Sequence, residues 1–316
     1  MRCFPNQIVN MQTMTLHRAK ELEAKRSRDP THIRSAASAV VHAVRSVQVP
    51  EAVTGLPFRV WTHEWQQIAL YHEEDIELPG TFLYPHIDHP AAVVIHFDDQ
   101  GRNRLLHHHG LLSQTARFLS FDKAHHAVFS VDLRGWGDSA PAIYPYDIAP
   151  WGGLDRYLAY TSAALGDSML AMRIRDALVA LSYLRTRSEI RHDRIVVTGC
   201  GLGGVVALHV AAITGKDLAA VVVWDSLVSF QALLEAPGYA WPADAFLPNV
   251  LLHYDLPDLA SALPCSVQIV NPRDGNRRIL SSEAVAALNA SVNRTLYVVT
   301  ADDRVLVQTI AQYLDA

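Results

Sequence analysis

Residues Ile195 to Leu208 read IVVTGCGLGGVVAL: four β-branched residues, a knot of glycines around Cys200 and Leu202, then an apolar run. That order predicts a strand, a sharp turn and the start of a helix. In the pattern G-x-S-x-G a turn of this kind carries a nucleophilic serine at a strained, exposed apex. Small residues two before and two after the apex let strand and helix approach each other. Gly199 and Gly203 fill those flanks, so the apex falls on Gly201 and the nucleophile position is vacated. Placing Cys200 at the apex instead puts Thr198 and Leu202 at the flanks, where Leu202 would crowd the turn. Cys200 therefore reads first as a small buried apolar side chain, with a nucleophilic role kept as the alternative.

Around this segment strands and helices alternate, the pattern of a mostly parallel sheet covered on both faces. Strands are expected at 91–96, 127–132, 194–198, 219–224, 266–270 and 295–300. A pair of strands is expected between Phe58 and Tyr84, turning at Pro79-Gly80. A helix over 168–187 is capped by Asp167 or Ser168 and carries Leu170, Ile174, Ala177, Leu181 and Leu184 on one face. Gly215 ends the helix after the turn. Thr15 to Arg28 and Thr31 to Val47 read as helices of an N-terminal arm or linker, residues 1–56, ahead of a main domain, 57–316. The stretches 140–166 and 226–258, rich in Pro, Gly, Tyr and Trp, are expected to be irregular and to form a small cap.

The chain has 316 residues, half of them hydrophobic, enough for one large α/β core. A net charge of -5 gives no electrostatic reason to expect a nucleic-acid partner. The first 60 residues hold nine Lys or Arg against four Asp or Glu, read as a solvated helical surface. Cys3, Cys200 and Cys265 lie far apart, without the spacing of a disulfide framework or a cysteine zinc site. No apolar run reaches the roughly 20 residues that a membrane span needs, and the first residues lack the apolar core of a secretory signal. A cytoplasmic protein is expected from the chain as it stands, a secreted one if it is a fragment.

The segment VFSVDLRGWGDSAP, residues 128 to 141, contains D-x-R-G-x-G-x-S from Asp132 to Ser139. Together with the following helix, the DRIVVTG strand and the glycine turn, it resembles the α/β-hydrolase superfamily, in particular bacterial acetyl xylan esterases and prolyl-oligopeptidase-like esterases. The resemblance covers about residues 58–314. It implies an α/β-hydrolase fold, with a mostly parallel central sheet, helices on both faces, a small irregular cap and the N-terminal helical arm. It also implies a serine activated by a histidine base that an acid orients. Carried onto this chain, the acid position is Asp274, in NPRDG, while the nucleophile position is Gly201. The histidine belongs in the loop after the last strand, but that loop reads ADDR, residues 301–304, and the last of the 16 histidines is His253. The oxyanion-hole amides map onto Leu202 and Phe97, and the neighbouring carboxylates Asp98 and Asp99 would oppose an oxyanion unless paired or turned away.

Gly199, Gly201 and Gly204 also spell G-x-G-x-x-G, with Asp225 at the end of the next strand, as an NAD(P)-binding turn would. Such a fingerprint normally opens its domain, whereas several strands precede it here. His107, His108, His109 and His125, His126, with His86 and His89, lack metal-site spacing, so no metal and no cofactor are expected. Trp136, Tyr144, Tyr146, Trp151, Tyr157, Tyr160, Tyr239 and Trp241 fall in or near the irregular stretches and either line a sugar-binding or hydrophobic pocket or pack the cap. The expectation is a hydrolase-fold protein lacking the Ser and His of the triad: a non-catalytic binding or partner domain, or the degenerate half of a tandem esterase. Its expected partners are a catalytic hydrolase half or a second copy, with a carbohydrate or ester as ligand and neither nucleic acid nor membrane. The alternatives are an active ester hydrolase using Cys200 and an NAD(P)-binding protein.

Overall fold

The computed structural model describes residues 11–43, 47–60, 62–106, 126–141, 153–291 and 294–316. The β-branched runs form β5 (Ala91–Asp98), β6 (His126–Val131), β7 (Ile190–Cys200), β8 (Ala220–Trp224), β9 (Ser266–Val270) and β10 (Thr295–Val298). Every residue of β5 is buried, as expected of a strand covered on both faces. These six pair in parallel, and an antiparallel group of β1 (Glu51–Thr54), β2 (Phe58–Val60), β3 (His63–Glu73) and β4 (Ile76–Pro85) extends the sheet beside β6. The order is β1-β3-β4-β6-β5-β7-β8-β9-β10, with β2 also on β3. The chain builds outward from β5 to β6 on one side and then restarts with β7 on the other. The crevice at the carboxyl ends of β5 and β7 is therefore a topological switch point, where α/β sheets bind ligands.

The hairpin between β3 and β4 turns at Asp75, which takes a left-handed φ of 62°, and not at Pro79-Gly80. Gly80 lies inside β4, where an added Cβ would stand 2.9 Å from the Phe129 ring, so that glycine marks a close approach within the sheet.

Helix α1 (Met11–Glu23) starts earlier than the spacing suggests, and α2 (Pro30–Val40) stops short of Val47. Asp29 caps α2 by accepting the His32 N–H at 2.7 Å, and Pro30 opens it. Ile33, Ala37 and Val41 are buried in the main core. α3 (Asn103–Leu106) follows β5. The stretch expected to be irregular after Ala140 contains a helix, α4 (Gly153–Ala164), hidden in the sequence by its tyrosines and its alanine-poor start. α5 (Met169–Leu184) is capped by Ser168, which accepts the Ala171 N–H at 3.2 Å. α6 (Leu202–Thr214) leaves the glycine turn and ends at Gly215, whose φ is 83°. Short helices α7 (Phe230–Glu235) and α8 (Leu256–Ser261) interrupt and end the second stretch, and α9 (Ser282–Ser291) and α10 (Asp303–Asp315) complete the set.

The second stretch is tied down by a buried ion pair. Arg173 of α5 places NH1 2.7 Å from Asp244, donates Nε–H to the Arg134 carbonyl at 2.9 Å and stacks on Trp136 at 4.4 Å. Trp136 and Trp241 are buried, whereas Tyr157, Tyr160 and Tyr239 are exposed. Tyr144, Tyr146 and Trp151 lie outside the described residues.

α6 carries His209, fully buried, with Nδ1 2.8 Å from the Val205 carbonyl and Nε2 2.9 Å from the Tyr254 hydroxyl. Burial pushes its pKa down from 6.5 to about 4. The unfolded chain takes up a proton below pH 6.5 that the folded chain refuses until about pH 4, so stability falls as pH falls through that window. The expected loss is about 3 kcal/mol at about 1.4 kcal/mol per pH unit. Urea unfolding of wild type and His209→Gln between pH 7 and 4 checks it: the variant lacks this part of the acid dependence.

Candidate active site

The glycine turn has the geometry that the sequence spacing demands. Gly201 stands between β7 and α6 with φ 59° and ψ -127°, a conformation that costs an L residue strain. An added Cβ at Gly199 would lie 2.6 Å from the Gly204 nitrogen, and one at Gly203 2.6 Å from the Phe97 carbonyl carbon. Glycine at both flanks is what lets β7, β5 and the first turn of α6 close on each other. Phe97 itself sits within β5, opposite Gly199 in the ladder, with its side chain buried.

The space that a side chain at Gly201 would fill belongs to Asp99. A Cβ added at Gly201 would stand 2.7 Å from the Asp99 carboxyl carbon. Asp99 Oδ2 accepts the Leu202 N–H at 3.0 Å, and Oδ1 accepts the Gln100 Nε2–H at 3.2 Å. An oxyanion hole would use the Leu202 amide, and here a resident carboxylate holds it. Burial pushes the Asp99 carboxyl above its ordinary pKa, against the pull of the Leu202 N–H. Asp98 is buried, 3.7 Å from His96 and 3.4 Å from Arg104. Burial works to raise it, but His96, the Gln100 N–H and Arg104 outweigh that and leave it below the usual carboxylate value.

Asp99 opens onto a cleft of about 560 Å³ lined by Gln100, Asn103, Arg104, Cys200, Gly201, Asp225, Trp241, Arg273 and Arg277 as well. Among the described residues, no serine, threonine or histidine lines it. Asp274 lies on the adjacent loop, but its carboxylate accepts the Asn276 N–H at 2.8 Å and the Arg278 N–H at 2.9 Å. It closes an Asx-type turn and does not line the cleft. That turn delivers two arginines instead. Arg273 donates to Asp225 Oδ1 through Nε at 2.9 Å and NH2 at 2.6 Å. Arg277, at a left-handed φ of 60°, lays its guanidinium 4.6 Å from the Trp241 ring centre. In the loop after β10, Asp302 caps α10 by accepting the Arg304 N–H at 3.0 Å.

Cys200 is 2 % exposed at the end of β7, and burial holds its thiol well above the ordinary cysteine pKa. Arg104 NH1, 3.8 Å from Sγ, offers a donor and not a base. Gly204 of the alternative G-x-G-x-x-G reading is packed against Ser226, and Asp225 is taken by Arg273. Of the histidines singled out in sequence, His86 pairs with Glu64 at 3.3 Å and His126 with Asp315 at 3.0 Å, while His107, His108, His109 and His125 lie outside the described residues. No group of three or more potential metal ligands occurs among the described residues, and none of their helices is long and apolar enough to cross a membrane.

A mostly parallel sheet with its cleft at a strand-turn-helix apex defines the class, and the sequence itself assigns the family. Residues 105–316 match the model of the alpha/beta hydrolase family, and the chain belongs to it. It is 24% identical over 170 residues to YtaP of Bacillus subtilis (strain 168), named as a candidate hydrolase; the match spans about half of either chain, 52% of each. Among solved structures it is similar to a candidate acetyl xylan esterase of Bacteroides fragilis NCTC 9343, with a TM-score of 0.68 and 14% identity over 92% of this chain and 82% of the other. The acetyl xylan esterase of Paenibacillus sp. R4 follows at 0.63 and 15%, covering 92% and 96%. That of Thermoanaerobacterium sp. JW/SL YS485 gives 0.61 and 15%, covering 90% and 94%. The α/β-hydrolase fold with its acetyl xylan esterase-like architecture is thus established.

If Asp99 fills the apex, Gly201 and Asp99 must be energetically coupled. Gly201→Ala is expected to destabilise by about 2–3 kcal/mol, combining left-handed strain with the clash. In an Asp99→Ala background that cost should fall by about 1 kcal/mol. A double-mutant cycle by urea unfolding reads the coupling directly.

Proposed function

We propose that this chain is an acetyl xylan esterase-like hydrolase-fold protein that does not hydrolyse esters and uses the vacated cleft to bind, either as a free-standing binding domain or as the partner of a catalytic hydrolase half. The observation that carries this reading is the Asp99 carboxylate, hydrogen-bonded to the Leu202 amide in the space beside Gly201. Acyl transfer needs that amide free to stabilise a negative charge as it develops, and a carboxylate already there repels one. It also needs a nucleophile and a base in contact. The described lining residues include no serine, threonine or histidine for these roles, and Asp274 Oδ1 is engaged in its own turn.

The cysteine alternative is weakened by chemistry. A thiol is nucleophilic as its thiolate, and a buried Cys200 beside Asp98 is held in the protonated form. The dinucleotide alternative is weakened by packing, because Gly199, Gly203 and Gly204 are used up by internal contacts and leave no approach for a pyrophosphate.

Purified protein is expected to turn over p-nitrophenyl acetate no faster than a denatured control and to form no adduct with a serine-directed fluorophosphonate. Gly201→Ser is expected to remain inactive, alone or with Asp99→Gly, since no histidine lines the cleft among the described residues. Wild-type turnover at least tenfold above the control would overturn the reading, and its loss in Cys200→Ala would assign the activity to the cysteine.

A further inference from the structure

The vacated cleft is unusually rich in guanidinium groups. Arg104, Arg273 and Arg277 line it with two carboxylates, Asp99 and Asp225, and Arg104 also pairs with Asp98 behind the wall at 3.4 Å, so the charges balance. Asp98, just behind, is 4 % exposed and engaged with His96 and Gln100. The three arginines are not equivalent. Arg273 is spent on Asp225 and on the Arg277 carbonyl, which its NH1 reaches at 2.8 Å. Arg104 is half exposed and touches Asp98 only at 3.4 Å and Cys200 at 3.8 Å, both through NH1. Arg277 has no hydrogen bond from its guanidinium among the described residues. Its Nε is buried without a partner, and its ion pair with Asp99 is long at 3.9 Å.

Two guanidiniums with spare donors thus face one cavity. Arg277 is held over Trp241, 4.6 Å from the ring centre, and Arg104 reaches the end of β7 through Asp98 and Cys200. A guanidinium presents a planar fork of donors that matches a carboxylate. The cleft already stabilises one carboxylate, that of Asp99, on a backbone amide with Arg277 beside it.

We infer that the cleft is a binding site for a small hydroxylated monocarboxylate, held through its carboxylate by Arg104 and Arg277 and through its hydroxyls by the side-chain amides of Gln100 and Asn103. This rests on the proposal that the cleft binds and does not hydrolyse. With the charges balanced, a monoanion leaves less uncompensated negative charge in the cleft than a dianion such as phosphate. The cleft of about 560 Å³ has ample room for such a ligand. Trp241 is not a stacking platform for a neutral sugar, because Arg277 covers its face.

Isothermal titration at constant ionic strength tests the assignment, with gluconate as probe and with glucose and inorganic phosphate as comparisons. Gluconate is expected to bind saturably, while glucose gives no signal and phosphate binds more weakly. Arg104→Gln and Arg277→Gln should each weaken gluconate at least tenfold, the effect of losing a charged hydrogen bond. Asp99→Asn should tighten it several-fold, and Arg28→Gln, remote from the cleft, should leave it unchanged. Thermal unfolding confirms that each variant is folded. Equal binding of glucose, tighter binding of phosphate, no binding of gluconate, or affinity unchanged in both cleft arginine variants would each overturn the assignment. Ester turnover alongside intact gluconate binding would remove the non-hydrolytic reading alone.

Discussion

The arrangement of the cleft depends on one hydrogen bond, from the Leu202 amide to the Asp99 carboxylate. Burying a carboxylate is costly unless it is paired and hydrogen-bonded. The site meets that requirement with the first free N–H of α6, the positive end of a helix dipole, an amide from Gln100 and the guanidinium of Arg277. The arrangement is possible only because residue 201 has no side chain. Glycine at the apex and aspartate at position 99 are two halves of one feature: each occupies what the other leaves, and a serine would need the same volume.

The second consequence is electrostatic. An esterase cleft is organised to receive negative charge only in the transition state. Here a carboxyl group already stands on the Leu202 amide, and a neighbouring loop brings Arg277 to 3.9 Å from it. The Asx turn at Asp274 directs Arg273 to Asp225 and Arg277 to Trp241, so the residue read in the sequence as a candidate acid shapes a cationic wall. Gly275 allows that turn to pack, since an added Cβ would lie 2.8 Å from Ala236. The switch point between β5 and β7 still provides a ligand crevice, with different groups projecting into it.

Much of the fold was legible in the chain because it rests on local periodicity. The β-branched runs of β5 to β10, the Ser168 cap and the Gly215 stop are signals contained in a few adjacent residues. What escaped depends on distant partners. Pro79-Gly80 has the composition of a turn, yet Gly80 is a strand residue because Phe129, from another strand, fills the space above it. The helix Gly153–Ala164 was obscured by the tyrosines and glycines around it. At the site, the spacing of Gly199, Gly201 and Gly203 located the apex, and the two aspartates after His96 were visible as an oddity. That Asp99 rather than Asp98 enters the cleft is set by the turn that follows β5, which ends at Asp98. The roles of Arg104, Arg273 and Arg277 had no local signature, since guanidiniums separated by about 170 residues meet only through the sheet order.

The resonance of the Leu202 amide proton offers the most direct measurement of this account. In a deuterated, nitrogen-15-labelled sample it should lie downfield and follow a single titration whose midpoint is above the ordinary aspartate value, because burial raises the Asp99 carboxyl. Both features should vanish in Asp99→Asn. A Leu202 amide insensitive to pH and unmoved by that substitution would mean that Asp99 does not occupy the vacated apex, and the account of the cleft would fail with it.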